Sequence, residues 1–110
     1  MDEEERRQHE IRVKNQELAE AKGRRIYYEH YRKVHKALLM KQYESKYPTA
    51  AAQEREAYAD PDYLKTLNEL EHWTARAELL SLERADLELR FEAWRTRQAN
   101  QRAERGRYGA

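Results

Sequence analysis

Cysteine is absent from the 110 residues. That excludes a disulfide framework, thiolate chemistry and sulfur-ligated zinc. Proline occurs twice and glycine three times, so little in the chain interrupts regular structure. No segment approaches the roughly 20 apolar residues of a transmembrane helix. The opening MDEEERRQHE is acidic and lacks the apolar run of a signal peptide, so no membrane role and a cytoplasmic location are expected. There is no glycine-rich phosphate loop, HExxH pair or nucleophile elbow. His9, His30, His35 and His72 are scattered; His30 and His35, five apart, point about 140° away from each other on a helix. No catalytic residue, metal site or cofactor is expected, and the chain does not read as an enzyme.

What is abundant is charge. Lys and Arg number 22 against 21 Asp and Glu, so 39% of residues are charged while the net charge is only +1. The mean hydropathy is −1.28. Disorder combines low hydrophobicity with high net charge; this chain lacks the second. Helix formers dominate, which points to long helices with coiled-coil character. The charges are zoned. Residues 1–22 hold seven acids and five bases, net −2, and residues 23–47 hold seven bases and two acids, net +5. Residues 48–93 hold eleven acids and five bases, net −6, and residues 94–110 five bases and one acid, net +4. Helices paired by opposite charge and a polyanion-binding surface are both consistent with this zoning.

The apolar pattern predicts an all-α helical hairpin. A charged helical arm occupies residues 1–23, ending at Gly23, which weakens a helix by roughly 1 kcal/mol relative to Ala. The hairpin domain spans 24–105, with its turn at about 48–60, and residues 106–110 form a flexible tail. In the first hairpin helix, Tyr27, Tyr31, Val34 and Leu38 form an apolar stripe with steps of four, three and four, with Tyr28, His35, Leu39 and Gln42 beside it. Pro48 disfavours helical geometry at Tyr47. Thr49 can cap a short helix. Asp60, Pro61 and Asp62 then open a long one as N-cap, first helical residue and dipole-compatible acid.

The long helix carries a seam of period 3.5: Tyr63, Thr66, Leu70, Trp73, Ala77, Leu80, Arg84, Leu87, Phe91 and Trp94. Leu67, Leu79, Leu82 and Leu89 lie off it and widen the apolar surface. That width predicts a homo-oligomer larger than a dimer, with Leu70, Trp73, Leu80, Leu87, Phe91 and Trp94 at the oligomerisation face.

The stretch RRIYYEHYRKVHKALLMKQYESKY, Arg24–Tyr47, interleaves five tyrosines with basic residues. Tyr27 and Tyr31, on the stripe, are expected to pack. Tyr43 and Tyr47, near the turn, are freer to face outward. Arg32, Lys33, Lys36, Lys41 and Lys46, with Tyr43, form a candidate surface for single-stranded DNA, in which basic groups track the backbone and a tyrosine stacks on bases.

The segment EREAYADPDYLKTLNELEHWTARAELLSLERADLELRFEAWR has an acidic turn opening a long helix, with Trp73 about a dozen residues on. A Lys- and Tyr-containing helix that ends in a tyrosine-rich turn precedes it. Over residues 27–95 this layout resembles the UvsY-type recombination mediators of tailed phages. The resemblance implies a non-enzymatic, ring-like homo-oligomer in the host cytoplasm. It would bind single-stranded DNA and help load a recombinase onto strands covered by single-strand-binding protein. Lys41 matches the lysine of that family's basic DNA-contacting pair, and Tyr43 stands where its arginine would be. The alternatives are a coiled-coil adaptor, an inhibitor of a host defence factor or nuclease, and a virion assembly or scaffold component.

Overall fold

The computed structural model describes residues 1–108, and these are all-α, in three helices: α1 (Glu3–Tyr43), α2 (Ala50–Ala59) and α3 (Pro61–Tyr108). Each boundary follows from local chemistry. Asp2 accepts a hydrogen bond from the Glu5 amide at 2.8 Å, and Glu3, Glu4 and Glu5 fill the first turn of α1, where carboxylates oppose the positive dipole end. After Tyr43 the chain tightens: the Lys46 and Tyr47 amides both donate to the Tyr43 carbonyl, at 3.0 and 2.9 Å. Pro48 follows, and Thr49 caps α2 by accepting from the Ala52 amide at 3.2 Å. Asp60 both ends α2 and starts α3. Its amide donates to the Ala57 carbonyl at 3.2 Å, while its carboxylate accepts from the Asp62 amide at 2.8 Å.

α1 runs through Gly23 without a break, so the expected arm and hairpin helix are one element. α3 likewise continues through Gly106 to Tyr108, where a flexible tail was expected from residue 106; residues 109 and 110 lie outside the described part.

The chain packs as two compact units. One joins Met1–Leu18 to α3 from Leu79 onward. Its buried apolar residues are Leu18 and Leu80, with Ile11, Leu87, Phe91 and Trp94 half-buried. The Arg7 guanidinium lies 5.6 Å from the Trp94 ring centroid. Lys14 bonds Glu83 at 2.7 Å, a contact that raises its pKa above the ordinary lysine value.

The other unit, Ala19–Glu78, holds the rest of α1, the turn, α2 and the start of α3. Ala21 and Ala77 are buried here, and Arg24 sits 5.4 Å from the Trp73 ring. Near the turn, Leu39, Ala57 and Tyr63 form a small core flanked by Met40 and Leu67. The apolar stripe of α1 settles differently from expectation. The buried or half-buried line is Tyr28, His35 and Leu39, while Tyr27, Val34 and Leu38 face outward at 57%, 54% and 56% exposure. The reason is polar as well as apolar. His35 Nδ1 pairs with the Oγ1 of buried Thr66 at 2.8 Å, which turns that face of α1 toward α3.

Candidate nucleic-acid interface

Five rings form a chain of contacts in the unit that contains the turn. Tyr27 stacks on Tyr31 at 5.7 Å and 7°. Tyr31 stacks on His35 at 5.2 Å, His35 meets Tyr63 at 6.0 Å, and Tyr63 meets Tyr58 at 5.5 Å. The middle of this ladder is held by packing, since Tyr63 is buried. Its two ends, Tyr27 and Tyr58, are exposed. The geometry follows from spacing: Tyr27, Tyr31 and His35 sit at successive steps of four on α1, and α2 carries Tyr58 to the side of the α3 residue Tyr63.

Beside Tyr58 lies an open cleft of about 450 Å³, lined by Arg32, Lys33, Lys36, Tyr58, Tyr63 and Leu67. Arg32 and Lys33 are exposed. Lys36 is engaged: its Nζ is 3.1 Å from Glu54 and 4.7 Å from the Tyr58 centroid. The Tyr58 hydroxyl first, and Glu54 second, hold its pKa above the ordinary lysine value. The cleft thus presents two exposed cations, a third balanced by a carboxylate, and a tyrosine face with open area.

The six basic and tyrosine positions expected to act together are divided. Arg32, Lys33 and Lys36 share the cleft. Lys41 is exposed in the last turn of α1 and does not line it, and Lys46 is exposed in the connection that follows. Tyr43, expected to be freer to face outward, is half-buried, and its hydroxyl donates to Asp60 at 2.7 Å. That bond raises the tyrosine pKa and lowers that of the carboxylate. Tyr47, half-buried, packs edge-on against Tyr43.

On α3, Leu80 is 1% exposed within the single chain. It has no surface left for a neighbour, so the expected oligomerisation face cannot include it. Leu70, Trp73, Leu87, Phe91 and Trp94 are half-buried, whereas Leu82 and Leu89 are 66% and 71% exposed. Tyr58 and Tyr63 were missed as site residues. The ADPDY turn between them was legible, but its consequence, two rings meeting at 5.5 Å, needed the turn's geometry.

Among the described residues no group of three or more His, Asp or Glu could hold a metal ion, and no helix is long and apolar enough to cross a membrane. No family model, curated protein or solved structure matches the chain.

Proposed function

We propose that this chain is a non-enzymatic helical-hairpin protein that binds single-stranded nucleic acid at the Arg32–Lys33–Tyr58 cleft. The observation that carries this reading is the exposed Tyr58 ring beside two exposed cations in one open cleft. Stacking on an aromatic face and phosphate contacts to Arg or Lys are the two interactions that sequence-tolerant single-strand binders combine. Binding of this kind carries no base code. In its fuller form, which rests on the resemblance to phage recombination mediators, the protein assembles as a homo-oligomer on single-stranded DNA. It then assists loading of a recombinase onto strands covered by single-strand-binding protein.

A coiled-coil adaptor is the second reading. It is favoured by the outward leucines Leu82 and Leu89, which suit a protein partner better than a phosphate backbone.

Fluorescence anisotropy with labelled oligo-dT over a salt series separates the two. Each phosphate neutralised on a single strand contributes about −0.7 to the log–log slope. Arg32→Ala with Lys33→Ala should weaken binding and flatten the slope by roughly 1.4. Tyr58→Ala should weaken binding at every salt concentration, because stacking is worth about 1–3 kcal/mol per base. Unchanged binding in both variants would move the choice to the adaptor.

A further inference from the structure

One face of α1 is exposed, mostly apolar and free of Asp, Glu, Lys and Arg for about four turns. Gly23, Tyr27, His30, Val34, Ala37 and Leu38 lie on it, all on the exposed side. It points away from the line Ala21, Tyr28, His35 and Leu39 that meets the rest of the chain. At its N-terminal end stands Glu20 and at its C-terminal end Lys41, both exposed. An added Cβ at Gly23 would meet nothing within 4 Å, so no contact inside the chain requires a glycine there. A mid-helix glycine nonetheless weakens a helix relative to alanine, and it leaves room for a close approach by another helix.

The face is self-complementary in one orientation only. In a parallel pair Glu20 meets Glu20 and Lys41 meets Lys41. In an antiparallel pair centred near His30 and Tyr31, Glu20 of each copy comes within a helical turn of Lys41 of the other. Val34 and Ala37 then lie beside Tyr27, and Leu38 falls near the space at Gly23. We propose that a second copy of this chain docks antiparallel on this face, making a two-fold symmetric contact about 30 Å long. Glu20 has a competing neighbour, Arg24 at 3.9 Å. An exposed pair one turn apart is weak, and Arg24 also lies against Trp73, so Glu20 remains able to turn toward the partner copy. The contact does not depend on nucleic acid, and Arg32 and Lys33 lie off this face, so its failure leaves the cleft reading intact.

The absence of cysteine makes a clean test, because every disulfide in a single-cysteine variant joins two copies. Under mild oxidation, Glu20→Cys chains mixed with Lys41→Cys chains should couple faster than either couples to itself, and His30→Cys should couple to itself. In sedimentation, Val34→Glu should weaken the dimer by about tenfold or more, with helix content by circular dichroism unchanged because the residue is exposed. Glu20→Lys should also weaken it, and Glu20→Lys combined with Lys41→Glu should restore it. The proposal is overturned by a parent protein that sediments as a monomer at every concentration, or by a dimer that Val34→Glu leaves unchanged. It is equally overturned if Lys41→Cys couples to itself as fast as to Glu20→Cys, or if only a Leu89→Cys control on α3 self-couples.

Discussion

Leu80 and Leu89 are the same side chain on the same helix with opposite surroundings. Leu80 is closed off between helices, and Leu89 is 71% exposed. Truncation of a buried leucine loses transfer free energy and leaves a cavity, costing about 2–5 kcal/mol. An exposed position has neither loss, and such changes stay within about 0.5 kcal/mol. Leu80→Ala should therefore lower the urea midpoint strongly and Leu89→Ala should leave it in place. An equal shift for both would mean that the α3 seam does not face α1. The same contrast applies to the arginines and lysines of α1. Arg7 and Arg24 lay their groups against Trp94 and Trp73, so long charged side chains cover aromatic surface that a hydrophobicity scan assigns to apolar partners.

At the scale of elements, Asp60 links all three helices. It ends α2, caps α3, and accepts the hydroxyl of Tyr43 from the last turn of α1. Asp60→Ala should lower the thermal midpoint by roughly 2–8 °C, while oligo-dT binding at the cleft stays close to that of the parent. The hydrogen bond from Tyr43 first, then the Asp62 amide, holds the Asp60 pKa below its ordinary value of 3.8. A folded-state pKa below the unfolded one gives stability that is present above the unfolded value and lost as pH falls through the folded one. The thermal midpoint of the parent should thus drop as pH falls below about 4. Tyr43→Phe, which removes the leading cause, should flatten that drop. If the two proteins lose stability in parallel between pH 5 and pH 2, the Tyr43–Asp60 bond does not hold the turn.

For the whole molecule, the thin cores set the expectation. The buried residues number few, and the core near the turn rests on Leu39, Ala57 and Tyr63. A partner that binds only the folded chain stabilises it by mass action. If a second copy covers the outer face of α1, the thermal midpoint should rise with protein concentration in the parent and become flat in Val34→Glu. A midpoint independent of concentration in the parent would mean that the hairpin is stable without association.

Much of this was legible in the sequence, for reasons that are local. The all-α content, the Thr49 and Asp60 caps, the break at Pro48 and the ten-residue seam from Tyr63 to Trp94 all follow from propensity, capping chemistry and a 3.5-residue period, whereas the continuity of α1 through Gly23 does not. Every one of those seam positions is at least half-buried. Two things were decided only by tertiary structure. Tyr27–Tyr31–Val34–Leu38 and Tyr28–His35–Leu39 are neighbouring lines on one helix, and periodicity cannot choose between them. The choice falls to the facing helix, whose buried Thr66 offers a hydroxyl to His35 and whose Tyr63 offers a ring. Grouping of charge was decided in the same way. Lys36 and Lys41 are close in sequence, yet five positions on a helix turn them about 140° apart; the fold of α2 then gives Lys36 its carboxylate and its tyrosine and leaves Lys41 outside the cleft.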